Sequence, residues 1–108
     1  MYARVLEMKT KRGQARALCT TIEQKGVPIL AKYPGFVEEI HLISEEMPDS
    51  LLAISFWQNR EAAEKYRIES YSTIAEIYQP FLEGGIQVRA YDVPFAPSAF
   101  KARAAKAS

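Results

Sequence analysis

The segment Leu51-Leu52-Ala53-Ile54-Ser55-Phe56-Trp57 is apolar on both sides when read as an extended strand. Leu51, Ala53, Ser55 and Trp57 fall on one face, and Leu52, Ile54 and Phe56 on the other. A strand with one wet face alternates cleanly between apolar and polar residues, so this one calls for cover above and below. Each large apolar side chain left in water forfeits about 1.5–3 kcal/mol. A chain of 108 residues is long enough for one domain with a real core, and its layers must be arranged around that demand.

The flanking segments supply the other elements. Tyr2 to Thr10 reads as a first strand, and Lys11-Arg12-Gly13 as a turn. Gln14 to Lys32 carries Ala15, Leu18, Cys19, Ile22, Gly26, Ile29 and Leu30 at helical spacing. Pro28 removes the amide that would bond to Gln24, which predicts a kink, or a break near Gly26-Val27. Phe36 to Ser44 reads as a second strand, with Phe36, Glu38, Ile40 and Leu42 on one face and Val37, Glu39, His41 and Ile43 on the other. A polar connection, Glu45 to Ser50, joins it to strand three. Asn59 is placed as an N-cap for a helix from Arg60 to Glu69. Ser70-Tyr71-Ser72 is expected to interrupt it before a second helical piece, Thr73 to Leu82. Glu83-Gly84-Gly85 stops that piece, and Ile86 to Val93 reads as a fourth strand.

The order βαββαβ is a split motif that predicts an α+β, ferredoxin-like fold with a four-stranded antiparallel sheet. Residues 1–94 form the expected domain, and 95–108 a flexible or short helical tail. Two helices cover only one face of such a sheet. The second face is expected to pack on another copy of the chain, giving a homodimer, with the tail folding back as the competing cover.

The formal net charge of +1 gives no electrostatic footprint for nucleic acid or an acidic membrane surface. No run approaches the roughly 18 apolar residues of a membrane span. Cys19 is the single cysteine, which excludes an internal disulfide and fits a reducing compartment. With no signal-like start, a cytoplasmic location is expected. His41 is the only histidine, and no Cys/His cluster accompanies it, so no metal site is expected.

The stretch Leu52-Ala53-Ile54-Ser55-Phe56-Trp57-Gln58-Asn59-Arg60-Glu61-Ala62 resembles the strand-three signature of the antibiotic biosynthesis monooxygenase family. There, a strand ends in Trp, and a Glu-Ala pair opens the next helix. Lys32-Tyr33-Pro34-Gly35-Phe36 and Tyr78-Gln79-Pro80-Phe81-Leu82 resemble the same family, and the likeness runs from Tyr2 to about Val93. It implies the dimeric α/β barrel. Members include cofactor-free oxygenases of aromatic polyketides and quinols, heme-degrading enzymes, isomerases and proteins without known activity. The resemblance places Trp57 in a pocket against substrate. Heme-degrading members carry an axial His where this chain has Arg67, so no heme and no other cofactor is expected. The polyketide oxygenases carry an Asn where this chain has Ala53.

The residues themselves offer His41 as a base, Arg67 for a substrate anion and Trp57 as a pocket wall. Tyr66, Tyr71 and Tyr78 offer stacking and hydrogen bonds to a small aromatic ligand. Each has a structural alternative: Trp57 as a core anchor, His41 as a strand hydrogen-bonder, the tyrosines as packing with wet tips. Cys19, on the apolar stripe, reads as an inert core residue. The resulting expectation is a cofactor-independent monooxygenase acting on a small aromatic or quinone-like compound. A non-catalytic dimeric binding module is the main alternative, and an isomerase or lactone-processing enzyme a third.

Overall fold

The computed structural model describes residues 1–107. Its elements are strands β1 (Tyr2–Lys9), β2 (Phe36–Ile43), β3 (Ser50–Trp57) and β4 (Gln87–Asp92), and helices α1 (Ala15–Thr21), α2 (Val27–Leu30), α3 (Arg60–Tyr78) and α4 (Ser98–Ala107). The strands form one open antiparallel sheet in the order β2-β3-β1-β4. This is the α+β, ferredoxin-like arrangement expected from the element order.

Three local features differ from the sequence reading. The first helical segment changes type at Gly26-Val27, where a kink or break was expected. A π-helical turn, Ile22–Gly26, links α1 to α2, and the Val27 amide donates to the Ile22 carbonyl. The wider turn shifts the bonding pattern by one residue just ahead of Pro28, whose missing amide is then absorbed near the start of α2. The helix after β3 is also continuous through Ser70-Tyr71-Ser72. Ser70 spends its hydroxyl on the Tyr33 phenol, Oγ to Oη 2.5 Å, so it does not compete for its own backbone. Asn59 caps α3 as expected, its Oδ1 accepting from the Ala62 amide at 2.9 Å.

The third difference lies in β2. Phe36 pairs with Trp57, but Glu38 pairs with Phe56, so one extra residue is inserted between them. This bulge puts Phe36, Glu39, His41 and Ile43 on one face, and Glu38, Ile40 and Leu42 on the other. Strict alternation had separated Phe36 from Glu39.

Helices α1 to α3 cover the inner face over β1 and β3 but not β4, every residue of which is exposed. There Leu6, Met8, Leu51, Ala53 and Trp57 pack against Leu18, Ile22, Leu30, Ile74 and Tyr78. The outer face carries Leu52, Ile54 and Phe56 beside Ile40 and Leu42, which are 37% and 48% exposed. Helix α4 returns along β2 on this side. Phe100 meets Phe56 edge-on with ring centroids 5.0 Å apart, and Arg103 pairs with Glu38. It covers part of the outer face and leaves the Ile40–Leu42 flank open.

Candidate functional site

The pairing registers place Glu39, Ser55, Arg4 and Ala90 in one row straight across the sheet. Glu39, Ser55 and Arg4 are the polar members of a helix-facing layer that is otherwise greasy. The Glu39 side chain is only 5% exposed, and its Oε1 lies 3.1 Å from His41 Nε2. His41 sits two residues further along edge strand β2 and keeps partial access to solvent. Ser55 Oγ accepts a 2.9 Å hydrogen bond from Trp57 Nε1.

Trp57 is completely buried. Tyr66 stacks on it at 5.3 Å with an interplanar angle of 21°, and Phe36 meets it edge-on at 5.4 Å. Tyr33 approaches Tyr66 edge-on at 5.9 Å. The Arg4 guanidinium lies over two rings, 5.7 Å from the centroid of Tyr66 and 5.3 Å from that of Tyr71. The space beneath Trp57 is therefore filled by aromatic rings. A surface groove lined by Met1, Tyr2, Gln58, Asn59, Arg60 and Asp92 opens at the same end of the sheet, where Tyr2 pairs with both Trp57 and Asp92.

Burial sets the protonation of this layer. It pushes the Tyr66 phenol well above its ordinary value, with Arg4 opposing and Glu39 reinforcing the shift. Tyr78 is raised by burial, then by Glu39 and Tyr66. Tyr71 is raised by burial against the pull of Arg4. All three are neutral hydrogen-bond donors at physiological pH. A raised folded-state value favours the protonated form, so this stabilisation is complete below the unfolded tyrosine value near 10 and is lost as pH rises beyond it. The melting temperature is expected to hold up to about pH 10 and fall steeply above it. Tyr66→Phe should flatten that fall, as differential scanning calorimetry from pH 8 to 11 would show.

Of the residues singled out in the sequence, Trp57, Tyr66 and Tyr78 come together in the buried layer, with Tyr71 half-buried at its margin. His41 joins the layer through Glu39. Arg67 does not: it lies on the exposed side of α3, its Nε and an Nη bonded to Glu64 Oε2 at 2.9 and 2.8 Å. The guanidinium among the tyrosines is Arg4. Cys19 is partly buried against the core, and its thiol is raised by burial with Arg16 opposing. Arg4, Glu39 and Ser55 were not singled out as site residues. The available signal for Arg4 was its even-numbered place beside Leu6 and Met8, which gives a charged residue a core-facing position.

A family model described as antibiotic biosynthesis monooxygenase matches residues 1–71. No curated protein sequence matches the chain. Among solved structures, SnoaB, a cofactor-independent oxygenase from Streptomyces nogalater, is 14% identical with a TM-score of 0.72, over 88% of this chain and 94% of that one. A monooxygenase of Streptomyces coelicolor solved with the ligand Nanaomycin D is 14% identical with a TM-score of 0.74, over 89% of each chain. A conserved protein from Methanosarcina mazei Go1 is 13% identical with a TM-score of 0.68, over 84% and 91%. At such identities these likenesses establish the shared fold, while the family match covers well over half of the sequence. The chain belongs to the antibiotic biosynthesis monooxygenase family.

Proposed function

We propose that the protein is a cofactor-independent monooxygenase of a small aromatic or quinone-like compound, working as a homodimer. Family membership supports a monooxygenase-like role. The observation that carries the finer reading is the layer between sheet and α3: a Trp57–Tyr66 stack lined by neutral phenols, with an acid–imidazole pair on one flank and a guanidinium on the other. An acidic anthrone or quinol would lose a proton to His41, whose ring Glu39 orients. The resulting anion gives one electron to dioxygen. The two radicals combine to a peroxide anion, which takes the proton back from His41. For an anthrone, the hydroperoxide then loses water across its C–H and O–O bonds and leaves the ring carbonyl. Aromatic walls keep bulk water from the anion.

The test is oxygen uptake with a panel of quinols and anthrones. A turned-over compound is expected, with His41→Ala lowering kcat by about 10²-fold or more. Trp57→Phe is expected to raise KM. Rates indifferent to both changes would reject the proposal. One observation favours a second reading, a non-catalytic binding module: Trp57 has no exposed surface, so a ligand must displace Tyr66 to reach it. A compound retained through purification without turnover in air would select that reading.

The homodimer is supported by the outer face. Ile40 and Leu42 stand exposed beside the half-buried Leu52 and Ile54, and self-association removes such a patch from water. Sedimentation at micromolar concentration should give a dimer, and Leu42→Asp should shift it to monomer. A wild-type monomer would overturn this part. We place the protein in the cytoplasm, since its one cysteine is a free thiol; no helix among the described residues is long and apolar enough to cross a membrane.

A further inference from the structure

Arg4 is an unusual residue to find in this layer. It is 5% exposed, and among the described residues no carboxylate pairs with it. Its guanidinium is not sealed off, since no buried side-chain nitrogen or oxygen among the described residues is left without a partner, but a charge this nearly enclosed with no counter-ion is still unfavourable. The contacts it does make are with the faces of Tyr66 and Tyr71, which offset part of that cost by cation–π attraction. Two nearby acids are already engaged: Glu64 is bonded to Arg67, and Glu39 to His41.

Beside Arg4 the cover is missing. Its ladder neighbour Ala90 is exposed, as is every residue of β4, so the inner face of that strand is bare where it adjoins Arg4. The half-buried Tyr71 holds its phenol in the neutral, donating form here.

We infer that Arg4 and Tyr71 form the anion-binding end of the ligand site, selecting aromatic compounds that carry a carboxylate or phenolate. This rests on the reading above that a ligand occupies the layer between the sheet and α3, and it adds which ligands fit. The guanidinium supplies charge-assisted hydrogen bonds to the anionic group. The anionic group faces the strip beside Ala90, and the ring of the ligand lies against the half-buried Tyr71, since Tyr66 and Trp57 are enclosed. Binding supplies the counter-charge that the free protein lacks at this position.

The experiment is calorimetric titration of the full chain under nitrogen with 2-naphthoate and, as its neutral counterpart, 2-naphthamide. The acid is expected to bind about tenfold or more tightly than the amide. Arg4→Met should bring the acid down to the amide's affinity, while Arg67→Met should leave the preference in place. In case Arg4→Met fails to fold, NMR of the unsubstituted chain gives an independent reading: the Arg4 Nε–H resonance should shift with naphthoate and stay put with naphthamide. Equal affinities, no detectable binding of the acid, or a preference that survives Arg4→Met would overturn the inference. Because no turnover is involved, its outcome is separable from the oxygenase assignment. A chain that prefers naphthoate yet consumes no oxygen keeps this site and loses the oxygenase, and one that oxidises quinols with no such preference does the reverse.

Discussion

Trp57→Ala is expected to destabilise the fold by about 3–5 kcal/mol, the range for deleting a large buried aromatic side chain. Three losses coincide at this position. The indole is completely enclosed, so its removal opens a cavity that Tyr66 and Phe36 line but cannot collapse into without giving up their own packing. The Tyr66 stack and the Phe36 edge contact disappear, each worth about 0.5–1.5 kcal/mol beyond area burial. Ser55 Oγ, in the buried middle of the sheet, loses the donor that satisfies it. A small domain holds only about 5–15 kcal/mol in total, so the variant should sit near the edge of folding. Urea denaturation followed by circular dichroism gives the measurement. Trp57→Phe, which keeps a ring in place, should cost clearly less. A loss under about 1 kcal/mol for the alanine variant would mean that the aromatic layer is less closely packed than described.

Gly26→Ala should also destabilise, by less than Trp57→Ala, although glycine to alanine in a helix ordinarily stabilises by about 0.5–1 kcal/mol. The sign is reversed here by what stands opposite. A Cβ at residue 26 would collide with the Tyr78 hydroxyl oxygen and come within 3.0 Å of Cζ. Tyr78 is itself fully buried on α3 and has no free space to retreat into. Overpacking of this kind costs about 1–3 kcal/mol, which outweighs the helix gain. Gly26→Ala combined with Tyr78→Phe should recover part of the loss, because the hydroxyl is the atom in the way. Thermal melts of the two single variants and the double variant form the required cycle. Additive effects would show that the two residues do not meet.

The division of β3 into two faces was legible because side chains point alternately along a strand; which face meets the helices was not, since both are apolar. The N-cap at Asn59 was legible because it, too, is a local signal. The π-helical turn was not: nothing in Ile22-Glu23-Gln24-Lys25-Gly26 announces an extra residue, and Gly26 within it lies against Tyr78, some fifty residues away. The continuity of α3 through Ser70-Tyr71-Ser72 depends on Tyr33, again distant in sequence. The site followed this division. Tyr66 and Tyr78 could be nominated from their chemistry and their place on or near the second helix, and Trp57 from the family resemblance. Arg4 could not displace Arg67 as the relevant guanidinium until β1 was set beneath α3, because both lie at plausible distances along the chain.

The inserted residue in β2 decides which way the rest of that strand looks. Upstream and downstream of it the two halves are out of phase, so the acid and the imidazole owe their inward aim to where the insertion falls rather than to how many residues the strand contains. Removing Val37 would flatten the ladder and leave Glu39 and His41 pointing as they do. Moving the irregularity a few places later, with no change in length, would turn the pair outward and bring Glu38 and Ile40 in. Among related chains, the location of this one irregularity will say more about interior chemistry at the sheet's rim than strand length or residue-for-residue identity.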